Sequence, residues 1–308
     1  MSLDLRCSPQ ARAQGLAAVG TAVAAPVHVL VDTPLPWPAD VGTLPAHQAL
    51  AALAPTARLH AVAPDADATP VELGGVDAQN RASTPPSSLV RVVVHVAGDG
   101  AFSGYRRHAA TVDPAEVPAT VTAMIGGAHA APGTDVLICG HGARDRCCGS
   151  MGTALAQQVA LGPDVALWRS GHLGGHRFAP TAVVLPSGTA WAWLDDDLLA
   201  AIVARSRPPA DLIGHYRGST AVTHPAAQVV EARILARVGW GWLDGARAAA
   251  VVDEPAPDEW EVRVTGAGSA WRARVRQVGR VPQPVCGSDE PGRKSDPVLE
   301  LVDLVEEG

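Results

Sequence analysis

Asp135-Val-Leu-Ile-Cys139-Gly-His-Gly-Ala-Arg-Asp-Arg-Cys147-Cys148-Gly149 is the stretch that decides the fold. Its first five residues are mostly apolar and include branched side chains, which is typical of a short buried strand. The polar loop that follows leads to a helix predicted over residues 151–160 and then to a strand over 165–168. Strand, helix and strand in this order indicate an α/β unit.

The unit extends on both sides of this stretch. Upstream, Asp113 with Pro114 is suited to begin a helix that Gly126-Gly127 ends. Downstream, the sequence predicts a hairpin of strands 181–185 and 189–193, and a helix over 198–204 that Asp195 caps. The resulting order of helix, strand, helix, three strands and helix over residues 111–222 is compatible with a thioredoxin-like fold.

Two further regions flank this domain. Residues 1–110 predict a first α/β domain, and residues 223–308 predict a mixed α+β segment. The sequence contains no internal repeat of fixed period. In the first region the expected elements are strands over 27–32, 57–62 and 89–95, a helix over 44–53 and a loop over 74–88; in the last they are a helix over 226–237, a hairpin of 261–264 with 271–276, and an edge strand over 299–305.

Composition narrows the class of protein. The chain has 308 residues, of which 47% are hydrophobic and 18% charged, as in an ordinary globular protein. The net charge of −7 gives no electrostatic reason to expect nucleic acid or an anionic membrane as partner. The uncharged stretch 15–31 is rich in Ala and Gly and broken by Pro26 and His28, which argues against a transmembrane span. It also lacks the leucine-rich region of a signal peptide, so we expect an uncleaved cytoplasmic protein.

Thiols and imidazoles are concentrated in two short segments. Three of the five cysteines lie within residues 139–148, which favours metal or redox chemistry over a disulfide framework. The second segment is His172-Leu-Gly-Gly-His176, where two glycines, each costing a helix about 1 kcal/mol, favour a loop. Its two imidazoles would then converge on one point, although a turn with two unrelated histidines is the alternative. Four nitrogen and sulfur ligands suit an iron–sulfur cluster or zinc.

The pattern Cys139-x8-Cys148-Gly149 followed by His172-x3-His176 resembles the sucrase/ferredoxin-like family. Members of that family are thioredoxin-fold [2Fe–2S] proteins in which two cysteines and two histidines ligate the cluster. Weaker matches at 20–22, 36–37 and 216–219 extend the resemblance over roughly residues 7 to 220. By position, it implies Cys139, Cys148, His172 and His176 as the ligands.

The sequence leaves the roles of several neighbouring residues open. Cys147 is an alternative ligand to Cys148, although the x8 spacing and the following glycine favour Cys148. Arg144, Arg177 and Arg217 are candidates for contacts with the ligands or for docking a partner, and solvated surface arginines are the alternative. Cys139-Gly-His141 resembles half of a Rieske box, but the second half is absent and His141 is expected to be a loop residue.

The implied function is one-electron transfer, with proton uptake coupled to it, or redox sensing. Two thiolates leave an oxidised [2Fe–2S] site neutral, so its potential should lie above that of all-cysteine ferredoxins. The expected partner is a redox protein that donates or accepts electrons, and no substrate of its own is predicted. The alternatives are a structural Zn²⁺ site on the same four residues and a thiol oxidoreductase using Cys147 and Cys148.

Overall fold

The computed structural model describes residues 6–64, 89–128, 130–288, 290 and 292–307. Its α-helices are α1 (Cys7–Ala13), α2 (Pro45–Leu53), α3 (Val117–Gly126), α4 (Thr153–Gln158), α5 (Asp196–Val203), α6 (Pro209–Leu212) and α7 (Pro225–Val238). Its strands are β1 (Val27–Asp32), β2 (Ala57–Val62), β3 (Val90–Ala97), β4 (Tyr105–Val112), β5 (Thr134–Cys139), β6 (Val165–Ser170), β7 (Ala182–Leu185), β8 (Thr189–Trp191), β9 (Tyr216–Ser219), β10 (Arg247–Ala256), β11 (Glu259–Gly266), β12 (Ser269–Pro282) and β13 (Ser295–Glu307).

Most predicted elements are confirmed; two predicted helices differ, and α1, α6, β4, β9 and β10 were not predicted. The helix expected after Asp113 begins with a 3₁₀ turn, and the Asp113 side chain makes no capping bond. The helix expected over 151–160 is shorter, because a π-helical turn at Cys148–Gly152 precedes α4. Strand β4 was not predicted, since Arg106, Arg107 and His108 interrupt its apolar pattern. The loop expected over 74–88 lies outside the described residues.

The strands form a nine-stranded mixed sheet in the order β4-β3-β1-β2-β6-β5-β7-β8-β9 and a four-stranded antiparallel sheet, β10-β11-β12-β13. The large sheet contains the same arrangement twice. In each half a parallel pair, β1 with β2 or β5 with β6, is extended by two antiparallel strands, and in the second half β9 adds a third. Each half also has the chain order strand, helix, three strands, helix. The architecture therefore repeats without a fixed-period sequence repeat, because strand pairing depends on hydrophobic pattern rather than on identical residues.

The two halves meet at the junction between β2 and β6, where Val62 lies opposite Ser170. The sheet bends sharply at this junction. His95 Nε2 on β3 lies 2.8 Å from Asp135 Oδ2 on β5, although these strands are four places apart in the sheet order. In a flat sheet that separation would be about 19 Å. The two half-sheets therefore lie face to face.

Three layers of core follow from this arrangement. Helices α2 and α3 cover the outer face of the first half-sheet, and α4, α5 and α7 cover the second. The inner faces share one apolar cluster that includes Leu30, Val93, Leu137 and Val183. The four-stranded sheet packs on α7. Helix α3 lies just beyond the predicted boundary at residue 110 and packs with β1 and β3; the division into residues 1–110, 111–222 and 223–308 stays a prediction.

Buried imidazoles lie between the two half-sheets. His28 and His60 stack with their ring centroids 5.3 Å apart, and His28 Nδ1 lies 3.0 Å from His60 Nε2. Both side chains are buried. Burial lowers the pKa of both histidines well below the usual 6.5, and the Arg58 guanidinium lowers the pKa of each further. The folded protein therefore keeps both rings neutral in mildly acidic solution.

We expect the protein to lose stability when the pH falls below 6.5. The unfolded chain binds protons at His28 and His60 in that range, whereas the folded chain does not, so each histidine costs up to about 1.4 kcal/mol per pH unit. Urea unfolding at pH 7.5 and 5.5 measures the effect. A His28→Leu/His60→Leu variant should show a smaller difference between the two pH values, and the remainder should come from the other histidines with a lowered pKa, His47, His95, His108 and His224. An undiminished difference in that variant would contradict the assignment.

Candidate functional site

Cys139 is the last residue of β5 and is fully buried. Its sulfur accepts hydrogen bonds from the thiol of Cys148, from the side chain of His172 and from the backbone amides of Leu173 and His141. The bond from Cys148 contributes most to lowering the pKa of Cys139 well below its usual value, and burial opposes it. The same bond is the main reason that the pKa of Cys148 is raised. The structure thus brings three of the four predicted ligands together, around the Cys139 sulfur.

Close backbone packing places Cys148 beside Cys139. Cys148 begins the π-helical turn that follows the polar loop. A Cβ atom on Gly152 would lie 1.9 Å from the Cys139 carbonyl oxygen, and one on Gly149 would lie 2.3 Å from Gly142 Cα. Only glycine fits at both positions, so these residues let the turn pack directly against the end of β5.

The histidine segment is a loop, as predicted. Gly174 and Gly175 have φ angles of +76° and +69°, which glycine adopts far more readily than other residues. A Cβ atom on Gly175 would lie 2.6 Å from Arg217 Nη2. Arg217 in turn donates to the carbonyl oxygen of Gly174 at 3.1 Å and to that of Thr21 at 2.5 Å. The loop is therefore held by a buried guanidinium.

The two histidines occupy different surroundings. His172 is half-buried, and its buried Nδ1 atom has no hydrogen-bond partner among the described residues. His176 begins a 3₁₀ turn, and its side chain is 28% exposed. Its Nδ1 atom lies 2.9 Å from Asp145 Oδ2 and 3.2 Å from Cys7 Sγ. The contacts of the Nδ1 atom of His176 are therefore to Asp145 and Cys7, next to the group formed by Cys139, Cys148 and His172.

Asp145 is the residue that connects these segments, and the sequence analysis missed it. Its Oδ1 atom accepts from the backbone amides of Cys147 and Cys148 at 2.8 and 3.3 Å, and its Oδ2 atom faces His176. Burial alone would raise the pKa of Asp145, but the bonds from His176 and the two amides outweigh it and lower the pKa. Asp145 lies six residues before the predicted helix start at residue 151, so its bonds to the Cys147 and Cys148 amides had no sequence signal.

Cys147 points away from Cys148 and joins a second group of thiols. Its sulfur lies 3.6 Å from Cys7 Sγ and 3.3 Å from Cys286 Sγ. The hydrogen bond from Cys7 contributes most to lowering the pKa of Cys147 to about 6. All five cysteines are free thiols. Sequence alone offered no link between Cys7, Cys147 and Cys286 beyond an odd cysteine count.

The three predicted arginines lie in different places. Arg144 is exposed, and its guanidinium reaches the Ala39 carbonyl at 3.4 Å. Arg177 is buried and paired with Asp296 on β13, and Arg217 is buried under the histidine loop. Arg177 and Arg217 are therefore not accessible for docking a partner. His141 is buried in the loop, and its Nε2 atom lies 2.8 Å from the Pro38 carbonyl oxygen.

Positive charge lies close to the Cys139 thiolate. The Arg58 guanidinium donates to the His172 carbonyl oxygen at 3.4 Å. Burial lowers the pKa of Arg58 to about 10 and that of Arg217 to about 9, while the negative charge of Cys139 opposes both shifts. Both arginines remain protonated at neutral pH, so two cations lie near the Cys139 sulfur.

Fold and site together define a mixed α/β protein with a buried group of thiols beside two imidazoles. The sucrase/ferredoxin-like family model matches residues 18–218, more than half of the chain, and the chain belongs to that family. No curated protein and no solved structure matches it. Within the described part of the chain, no helix has the length and apolar character needed to cross a membrane.

Proposed function

We propose that this protein binds a [2Fe–2S] cluster through Cys139, Cys148, His172 and His176 and serves in one-electron transfer or redox sensing. The observation that carries the proposal is the contact of Cys139 with both Cys148 and His172, beside an unpartnered buried Nδ1 atom of His172. Two sulfur and two nitrogen donors fit an iron–sulfur centre of this ligand type. When bound, the cluster supplies a site that accepts and returns one electron.

The surrounding residues favour a high potential for such a site. The Cys139 sulfur accepts two backbone N–H bonds, from His141 and Leu173, which withdraw charge from the ligand. Arg58 and Arg217 add positive charge nearby. Each of these features stabilises the more negative state, so they act in the same direction as the replacement of two cysteines by histidines.

Asp145 fits the role of orienting His176. A carboxylate that accepts the Nδ1 proton of a histidine fixes the ring and directs the other nitrogen toward a metal. Asp145 Oδ2 lies 2.9 Å from that Nδ1 atom. We therefore propose Nε2 of His176 as its ligand atom and Asp145 as the acceptor of its Nδ1 proton.

The partial exposure of the two histidines indicates where a redox partner would dock. Cys139 and Cys148 are buried, whereas His172 and His176 are partly exposed. We propose that a donor or acceptor protein binds at the histidine loop in the cytoplasm, where Arg144 lies nearby in the exposed cysteine loop.

Both earlier alternatives are less well supported. A thiol oxidoreductase would need Cys147 and Cys148 to act as a pair, yet Cys148 contacts Cys139 while Cys147 contacts Cys7 and Cys286. Zn²⁺ at the four predicted ligands stays the second candidate, since the same donors suit it.

Within the cluster proposal, the strand–helix–three-strand–helix order of the second half-sheet supports a thioredoxin-like domain.

Anaerobic purification of the full chain tests the proposal. We expect a red-brown protein with about two iron ions and two acid-labile sulfides per chain. A colourless protein that holds zinc and no iron would overturn the cluster proposal and favour a structural zinc site on the same four residues. The visible spectrum before and after reduction by dithionite distinguishes a redox-active centre from adventitious iron.

A further inference from the structure

We propose that Cys7, Cys147 and Cys286 bind one Zn²⁺ ion, with Asp145 as the fourth ligand, at a site separate from Cys139 and Cys148. The three thiols come from distant parts of the chain. Cys7 begins α1, Cys147 ends the polar loop after β5, and Cys286 lies in the turn between β12 and β13. Their sulfur atoms and a carboxylate oxygen of Asp145 all lie within 4.8 Å of one another.

The spacing of the three sulfur atoms fits a common metal ion. The Sγ–Sγ distances are 3.6 Å between Cys7 and Cys147, 3.3 Å between Cys147 and Cys286, and 3.4 Å between Cys7 and Cys286. In a tetrahedral zinc site with bonds of about 2.3 Å, two sulfur ligands lie about 3.7 Å apart. The triangle therefore needs to expand by only a few tenths of an ångström to accept the ion.

A disulfide explains the arrangement less well. An S–S bond of about 2.0 Å joins two sulfur atoms and leaves the third without a role. Here the three distances are nearly equal, so no pair is distinguished from the others. Three equivalent thiols with a carboxylate beside them are a ligand set for a borderline-soft divalent ion such as zinc.

Asp145 completes the set of four donors. Its carboxylate oxygens lie 4.0 Å from Cys7 Sγ and 3.9 Å from Cys286 Sγ, within reach of an ion placed among the thiols. The thiols release their protons when they bind the ion, so binding is coupled to proton release. Because Asp145 also faces His176, the zinc site and the histidine loop share one residue.

The site would fasten α1 and the β12–β13 turn beside the turn that begins at His176. Helix α1 packs on the turn that begins at His176, and the neighbouring Arg177 pairs with Asp296 of β13. Zinc bound by Cys7 and Cys286 would hold α1 and the β12–β13 turn together at this point. Its role would be structural, because four protein ligands leave no open position.

Metal analysis of the full chain and of a Cys286→Ser variant tests the proposal. Cys286 lies far from the proposed cluster ligands in sequence, and its sulfur contacts Cys7, Cys147 and Asp145. We expect about one zinc per chain in the unchanged protein and a loss of at least about tenfold in Cys286→Ser, with iron content unchanged. Ser288→Ala, in the same turn, should keep its zinc.

A Cys139→Ser variant separates this site from the proposed cluster. It should lose iron and keep zinc, whereas Cys286→Ser should do the reverse, so failure of one proposal is distinguishable from failure of the other. Equal zinc content in Cys286→Ser and the unchanged chain would overturn the zinc site.

Alkylation of the unchanged protein provides a second readout that needs no variant. With Zn²⁺ alone added, Cys7, Cys147 and Cys286 should react with iodoacetamide at least about tenfold more slowly than after chelation, as located by peptide mass spectrometry. A disulfide between any two of the three, or no protection by Zn²⁺, would overturn the proposal.

Discussion

A chain carrying Cys148→Ser is expected to be purified with less than about a tenth of the iron of the unchanged chain, because it lacks one of only two thiolate ligands. Cys147→Ser is expected to keep its iron. The two residues are neighbours in sequence, but Cys148 contacts Cys139 and Cys147 contacts Cys7 and Cys286. Iron and acid-labile sulfide per chain, measured under anaerobic conditions, provide the comparison.

The Cys147→Ser variant is its matched control, since the same substitution is made one residue away. Both side chains are buried, so a general effect of placing a hydroxyl in the core would appear in both variants. Iron loss in Cys147→Ser with retention in Cys148→Ser would reverse the ligand assignment. Retention of iron in both variants would show that neither cysteine is a ligand of the cluster.

Replacing His172 or His176 with cysteine is expected to lower the midpoint potential by on the order of 100 mV. A third thiolate adds negative charge to the oxidised site and makes addition of an electron harder. The change also removes an imidazole whose second nitrogen can exchange a proton on reduction. We therefore expect the pH dependence of the potential, about 59 mV per pH unit where one proton accompanies one electron, to flatten.

Redox titrations between pH 6 and 9 measure both effects. His141→Gln is the control, because His141 is a buried histidine of the same region whose side chain bonds to the Pro38 carbonyl oxygen. Its midpoint should stay close to that of the unchanged chain. Unchanged midpoints in both His→Cys variants would rule out histidine ligation.

Local pattern accounts for the parts of the fold that were predicted correctly. Strands β1 and β2 have the predicted bounds, because each is a short, mostly apolar segment between turn residues. The loop at Gly174-Gly175 was predicted from the cost of glycine in a helix, and their positive φ angles confirm it. Asp195 caps α5 as expected, accepting from the Leu198 amide at 2.8 Å.

The features that were missed depend on long-range contacts. The sharp bend at the β2–β6 junction brings His95 to Asp135, and no local pattern encodes that approach. Cys7 and Cys286 are separated by most of the chain, yet their sulfur atoms lie 3.4 Å apart. Spacing rules apply to ligands that are close in sequence, so they led to the prediction of Cys139 and Cys148 as ligands and gave no indication of the other thiol group.

Arg58 has a consequence for association between chains. Among the described residues, β2 is paired with β6 only at Val62, so most of its outer edge has no neighbouring strand. An open strand edge is a template on which another chain can add a strand and begin to aggregate. Arg58 lies on this edge, where its charged side chain reaches the carbonyl oxygens of Val23 and His172. Through these two bonds Arg58 ties the β2 edge to the histidine loop and to the segment at Val23, which leaves less of the edge open to a strand from another chain.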